Sequence, residues 1–307
     1  MKQTVKSATQ EFGTRVGSAL FHAVLRLPYE MRVRGMGWLM ARVIAPLAGY
    51  RRRVRQNLRL IWPDMSERDL RALCLGVPDN FGRTLAEIFS GSQFKARLKD
   101  CRLEGDGVEA LRQAHAAGRP IILVSGHFGN HDAVRACVSE QFSPVGALYR
   151  PLRSQAFNGA WEAAISGIAA PIFPLGRRGL AEMVRYLKSG NIVALLIDQH
   201  QGSGAPLDFM GRPAMTALSA AEMALKYDAL LLPVFGLRNP DGLSFRALIE
   251  APIAPSDAQT MTAEFNARMG AMVTAYPAQW FWVHRRWKYA EPLADQSASP
   301  GDDDIGA

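Results

Sequence analysis

Residues able to do acid–base chemistry crowd into one short stretch, Gly126-His127-Phe128-Gly129-Asn130-His131-Asp132. It directly follows an apolar run at 121–125. An imidazole titrates near neutrality and exchanges a proton with a hydroxyl once a carboxylate holds its second nitrogen. His127 and Asp132 are five apart, roughly 140° around an ideal helix, so they do not share a helix face. With His127 in a loop and Asp132 in the first turn of the following helix, the two side chains are expected to meet, and the helix dipole favours the carboxylate there. Gly126 and Gly129 allow the backbone a tight turn and a close approach to a ligand. No G-x-S-x-G nucleophile motif is present, which favours direct attack by a substrate hydroxyl over a covalent enzyme intermediate.

The surrounding elements are expected to place His127 where α/β proteins bind ligands. From residue 105 onward, apolar runs at 121–125, 145–149, 171–174, 192–197, 230–236 and 245–250 alternate with helical patterns at 107–117, 130–141, 154–167, 177–188 and 214–227. This alternation predicts a mixed, mostly parallel sheet flanked by helices, and ligands of such sheets sit beyond the carboxyl ends of the strands. Asn239-Pro240-Asp241-Gly242 predicts a hairpin between the last two strands, with a helix at 258–275 after it. Residues 14–90 read as a series of helices divided at Pro63 and Pro78, one starting at a Ser66/Asp69 cap. The expected organisation is a basic, membrane-associating helical segment over 1–100, packed on an α/β domain over 101–290. A polar tail over 291–307, ending in Asp302-Asp303-Asp304, is expected to be disordered.

Charge is uneven along the 307 residues. The net charge of +8 arises in the first 60, which hold 12 of the 36 Lys/Arg and only Glu11 and Glu30 as acids. Apolar runs at 16–25 and 35–50 are short of the ~20 residues a spanning helix needs, and the second carries Arg42. Helices lying on an anionic membrane fit better: Leu20, Val24, Leu27 and Met31 recur at helical spacing beside Arg26, Arg32, Arg34 and the cluster Arg51, Arg52, Arg53 and Arg55. A helical cap with a solvated basic face is the plainer reading. The basic stretch contains no nucleic-acid reader motif, so no nucleic acid is expected as partner.

Cys74, Cys101 and Cys137 are too few and scattered for a disulfide framework and form no CxxC pair. A metal-dependent hydrolase using His127, His131 and Asp132, with His200 nearby, is one alternative reading. Against it, Gly129 separates the histidines and the H-E-x-x-H carboxylate is missing, so no metal and no resident cofactor are expected.

The H-x4-D pattern from His127 to Asp132 resembles the signature of glycerolipid-type acyltransferases. Four further segments, in order, resemble the bacterial lipid A late acyltransferase family: Arg53-Val-Arg-Gln-Asn57-Leu-Arg-Leu-Ile-Trp-Pro63; Tyr149-Arg150-Pro-Leu; Asp198-Gln199-His with Phe209-Met-Gly211-Arg212-Pro213-Ala-Met-Thr216; and Gln279-Trp-Phe-Trp282-Val-His284-Arg285-Arg286-Trp-Lys288. Together they cover about residues 15–290. Most members carry Glu where this chain has Asp132; the shorter carboxylate still orients an imidazole. The spanning helix usual at the N-terminus looks degraded here.

The resemblance implies O-acyl transfer from acyl-acyl carrier protein, as co-substrate, to a hydroxyl of a lipid A precursor. Another lipid acceptor, such as a lysophospholipid, ornithine lipid or glycolipid, stays open. It also implies a peripheral or monotopic place on the cytoplasmic face of the bacterial inner membrane. Arg150, after a predicted strand, and the backbone at Gly129 and Asn130 are expected to steady the negative charge on the attacked carbonyl oxygen. Asp198 and Gln199 are expected to face the same cleft as positioning groups. Arg212, His284, Arg285 and Arg286 are expected to grip anionic groups of the acceptor. Plainer readings stand beside these: a salt bridge for Arg150, a turn former for Asp198, surface charge for the other arginines, and core anchors for Trp280, Trp282 and Trp287.

Overall fold

The structure, a computed structural model, describes residues 23–24, 26–152 and 155–288. The apolar run at 16–25 and the acidic tail fall almost wholly outside them. Helix α1 (Tyr29–Leu39) continues through a π-helical turn (Met40–Ile44) and a short helical turn (Ala45–Leu47) into α2 (Tyr50–Ile61). Helices α3 (Glu67–Ile88) and α4 (Ser92–Arg97) follow. The α/β part then runs β1 (Leu103–Glu104), α5 (Val108–Ala116), β2 (Ile121–Ser125), α6 (His131–Gln141), β3 (Val145–Tyr149), α7 (Gln155–Ile168), β4 (Ile172–Pro174), α8 (Arg177–Lys188) and β5 (Ile192–Leu196). It closes with β6 (Ala205–Phe209), β7 (Arg212–Thr216), α9 (Ser219–Lys226), β8 (Leu230–Arg238), β9 (Phe245–Ile249) and α10 (Ala258–Ala275).

Seven strands form one sheet in the order β1-β9-β8-β2-β5-β3-β4. Neighbours are parallel except β8 and β9, which pair antiparallel across the expected Asn239–Gly242 hairpin. The sheet is thus mixed and mostly parallel, with helices on both faces. Strand β2 is buried along its whole length, and its side chains alternate with the period of two that a pleated strand imposes. Ile122 and Val124 enter one apolar core with α2, α8, α9 and α10, while Ile121 and Leu123 enter the other with α1, α5, α6 and α7.

Helix α3 reaches both cores, through Leu70 and Val77 near its start and Ala86 and Ile88 near its end. Its middle therefore passes over the carboxyl ends of the strands. Ser66 caps it by accepting from the Asp69 N–H, as its spacing predicts. Pro78 does not break it: the helix runs through, with Val77 and Pro78 buried. Packing on two cores outweighs the single backbone hydrogen bond that proline cannot donate.

The hairpin β6–β7 is the other departure. Residues 212–216 pair with 205–209, where a helix was expected from 214. Met210 (φ 57) and Gly211 (φ 79) form its two-residue turn, the geometry suited to a tight hairpin. Pro206 and Pro213 disguise both strands, because proline argues against a strand and is tolerated only at its edges.

Among the described residues no helix is long and apolar enough to cross a membrane. Met36, Met40, Ala41 and Ala45 are buried against the body, whereas Leu27, Met31, Trp38, Val43 and Leu47 are exposed. Arg26, Arg34, Arg42 and Arg52 are exposed along the same segment.

Candidate active site

Strand β2 delivers its chain end to the sheet's carboxyl edge between β5 and β8. Gly126 follows, and a Cβ there would sit 2.8 Å from Cγ of Asp198, so only glycine lets that aspartate stand against the strand end. The loop then turns through Gly129, whose φ of +56 places its Cα where a Cβ would meet the Gly236 carbonyl at 2.0 Å. Asn130 caps α6 by accepting from the Asp132 N–H.

His127 stands at the head of this loop with its ring held from both sides. Nδ1 lies 2.8 Å from Oδ1 of Asp198, and Gln199 Nε2 lies 3.3 Å from its Nε2. Asp198 Oδ2 accepts from the His127 backbone N–H (2.9 Å) and from the Trp280 indole (2.8 Å). Burial pushes the Asp198 carboxyl up, but the His127 ring, its N–H groups and the Trp280 indole outweigh burial and hold it well below the usual carboxylate range. An ionised carboxylate on Nδ1 fixes the proton there and leaves Nε2 as the basic nitrogen.

The carboxylate on His127 is therefore Asp198, where Asp132 was expected. Asp132 lies in the first turn of α6 as anticipated, but its Oδ1 accepts from Arg135 Nε at 2.8 Å and its Oδ2 faces His131 Nε2 at 3.8 Å. Arg135 also donates to the carbonyls of Ile165 and Ala169, so Asp132 and Arg135 form a buried pair tying α6 to α7. Burial opposes ionisation of Asp132, yet Arg135 and His131 keep its carboxyl low; burial lowers the basicity of His131. The rings of His127 and His131 meet edge to face, centroids 5.7 Å apart.

A cavity of about 370 Å³ opens beside this histidine. Its walls are chiefly apolar, from Phe81, Leu85, Ile88, Leu148, Trp161 and Ile165 among others, with His127, His131 and Gln199 providing polar groups. Arg150, exposed at the end of β3, is on its rim.

The remaining expectations divide. Gly129 lines the cavity, but its N–H donates to Gln279 O and that of Asn130 to Gly236 O. Both donors are thus engaged by carbonyls of the protein itself, and neither is left for the oxygen of an attacked thioester. Arg212 donates to Leu60 O from the β6–β7 hairpin, away from the cavity lining. His284 accepts from the His200 N–H at 2.8 Å, and burial drops its pKa to about 4. Arg286 is fully buried and donates to Gln199 O, Met215 O and Thr216 Oγ1. Burial lowers its pKa to about 10, and its role is to brace the turn bearing Gln199. Arg285 is half-buried and outside the cavity wall. Trp280 and Trp282 are core residues, as the plainer reading has it, and Trp280 additionally positions Asp198.

A buried polar lattice beneath the loop has no simple sequence signature. Glu87, wholly buried, is paired with Arg238 and accepts from Asn130 Nδ2. Thr84 Oγ1 and Asn80 Nδ2 donate to Gly129 O. Burial raises the Glu87 carboxyl against the opposing pull of Arg238. Glu87, Thr84 and Asn80 recur at spacings of three and four along α3, the one pattern that marks a polar stripe on an otherwise apolar helix. Among the described residues, no three His, Cys, Asp or Glu side chains converge as a metal-ligand set, so the hydrolase alternative gains no support from the geometry.

A histidine–carboxylate pair beside a chiefly apolar cavity is chemistry suited to acyl transfer. The family model for bacterial lipid A biosynthesis acyltransferases matches residues 1–289. The chain belongs to this family. It is 28% identical over 285 residues to the lipid A biosynthesis lauroyltransferase of Escherichia coli K12, covering 90% of this chain and 91% of that one. A lipid A biosynthesis acyltransferase of Haemophilus influenzae is 25% identical over 291 residues, 89% of each chain. The Escherichia coli lipid A biosynthesis palmitoleoyltransferase is 25% identical over 253 residues, covering 79% and 80%. As a family member the protein is an O-acyltransferase of lipid A biosynthesis.

Proposed function

We propose that the protein transfers a fatty acyl chain from an acyl carrier protein thioester to a hydroxyl of a lipid A precursor, with His127 as general base. The observation that carries this reading is His127, its Nδ1 on Asp198 and its ring among the walls of a chiefly apolar cavity. The acyl chain lies in the cavity with its thioester carbon at the histidine. Nε2 takes the proton of the acceptor hydroxyl as its oxygen attacks that carbon. The C–O bond forms, the C–S bond breaks, and the proton passes from Nε2 to the departing sulfur. The imidazolium formed in between is stabilised by Asp198, whose negative charge is already in place. Arg150, on the rim, offers a cation to the oxyanion or to the acceptor's phosphate.

The lipid acceptor reaches this site from a membrane. Exposed Leu27, Met31, Trp38, Val43 and Leu47, interleaved with exposed arginines, form a face suited to the headgroup region of an anionic leaflet. This face supports the reading of a peripheral or monotopic enzyme acting at the cytoplasmic face of the inner membrane. The test is lipid mass spectrometry of the host lacking this gene, complemented with wild type or His127→Ala. Loss of one lipid A acyl chain, restored by wild type alone, is expected. Unchanged lipid A with an altered phospholipid or aminolipid pool moves the reading to another acceptor, and no lipid change refutes it.

A further inference from the structure

One stretch of the cleft rim carries residues that neither the core nor the chemistry uses. Leu175 follows β4, lines the cavity and is 53% exposed; Leu180, one turn into α8, is 43% exposed. The Leu175 N–H donates to Tyr149 O, which ties this rim to the strand end bearing Arg150. Between the leucines stand Arg177 and Arg178, both exposed, the Arg178 side chain by 93%. Helix α8 buries Gly179, Met183 and Leu187 on its inner face and presents Arg185 and Lys188 outward as well. Its one acid, Glu182, pairs with Arg178. Cations in the first turn oppose the helix dipole, and exposed leucines gain nothing from burial. Two costs to the fold therefore coincide at the mouth of the cavity.

We infer that this outer face of α8, with Leu175 and Leu180, is the docking surface for the acidic carrier protein that delivers the acyl chain. The inference rests on the reading that the donor is carrier-bound. A small acidic protein seated on Arg177, Arg178 and Arg185 has its thioester arm beside Leu175, at the entrance leading to His127. The leucines meet apolar residues between the carrier's acids. A bilayer is not the occupant: α8 packs into the core on one side of the sheet, while α1, with the exposed Met31 and Trp38, packs into the core on the other. A leaflet lying along α1 leaves the α8 face to a soluble partner.

The test uses the full chain and two donors, an acyl-acyl carrier protein and the corresponding acyl-pantetheine thioester. Reversing charge with Arg177→Glu/Arg178→Glu is expected to lower kcat/KM for the carrier donor at least about tenfold, through KM and in a salt-dependent way. Turnover of acyl-pantetheine and pelleting with anionic phosphatidylglycerol vesicles are expected to hold. Equal losses with both donors, or no loss with either, overturn the proposal. Lost vesicle binding with an unchanged carrier KM also overturns it and makes the face a membrane contact. A wild-type enzyme that uses the carrier no better than acyl-pantetheine refutes the carrier-donor reading itself, whatever the variant does.

Discussion

Replacing Asp198 by asparagine separates the two carboxylates of the site. Asp198 accepts three N–H donors, from the His127 ring, the His127 backbone and Trp280, within 2.8–2.9 Å. An asparagine there keeps one oxygen acceptor and gains an NH2. If that oxygen stays with the backbone and indole donors, the NH2 faces Nδ1, and the imidazole proton must move to Nε2. The base is then blocked and the imidazolium loses its counter-charge. A wrong tautomer at a buried histidine–carboxylate pair costs on the order of 10³–10⁴ in kcat. We expect a loss of that size, with KM little changed, in a single-turnover acyl-transfer assay on the folded variant. Asp132→Asn is expected to act differently. It strips the buried Arg135 of its charge partner, which costs about 3–5 kcal/mol. In a domain of this size that lowers Tm by roughly 7 °C, while activity of the folded fraction falls far less than in Asp198→Asn. Near-normal turnover in Asp198→Asn, with a dead but stable Asp132→Asn, would refute the assignment of the orienting carboxylate.

Three further outcomes are expected. Lowering the pH from about 6.5 to 4 should lower Tm, because His284 binds its proton only near pH 4 when folded but near 6.5 when unfolded. The folded state is favoured above that window, and about 3 kcal/mol is lost across it. His284→Gln should shrink that limb in calorimetry, leaving the share of His131, whose basicity burial also lowers, and the acid limb below pH 4, where Asp198 and Asp132, both depressed, take up protons. Gly129→Ala sets a Cβ 2.0 Å from Gly236 O at a φ of +56 and should abolish soluble expression or leave a folded protein without activity; a soluble, fully active variant would contradict the described loop. Trp38→Ser and Leu47→Asp should each reduce partitioning onto anionic vesicles at least about tenfold, from the ~1.5–3 kcal/mol of one buried large apolar side chain, with thermal stability unchanged; undiminished binding would remove this segment from the membrane face.

Much of the architecture was legible because its signals are local. Strand β2 and helix α6 follow from an apolar run, two glycines and the helical pattern at 130–141. The β8–β9 hairpin follows from Asn-Pro-Asp-Gly. His127 was legible from its setting at a strand end. Its partner was not, because spacing along the chain favours Asp132 while register across the sheet decides for Asp198: β2 and β5 lie side by side, so two residues 71 apart meet. Arg286 and His284 read as acceptor ligands from their charge, but burial turned both inward. The Glu87–Arg238 pair joins residues 151 apart, and nothing in either local sequence announces the other. The β6–β7 hairpin was hidden by its prolines.

The clamp on the His127 loop has a consequence for the order in which the enzyme comes into being. The loop's backbone is tied to Gln279 and Phe281, its aspartate is held by Trp280, and Asn57 is bonded to the carbonyls of Trp282 and His284, more than two hundred residues downstream. During synthesis the basic, apolar α1 leaves the ribosome first. The histidine and Asp198 follow in the middle, and the residues that clamp the loop and brace Asp198 come last. A growing chain halted before residue 279 carries His127 and Asp198 but lacks the residues that clamp the loop and hold Asp198 in place. On the proposed membrane role of α1, attachment to a leaflet precedes competence, and the protein meets its lipid environment before it is able to modify it.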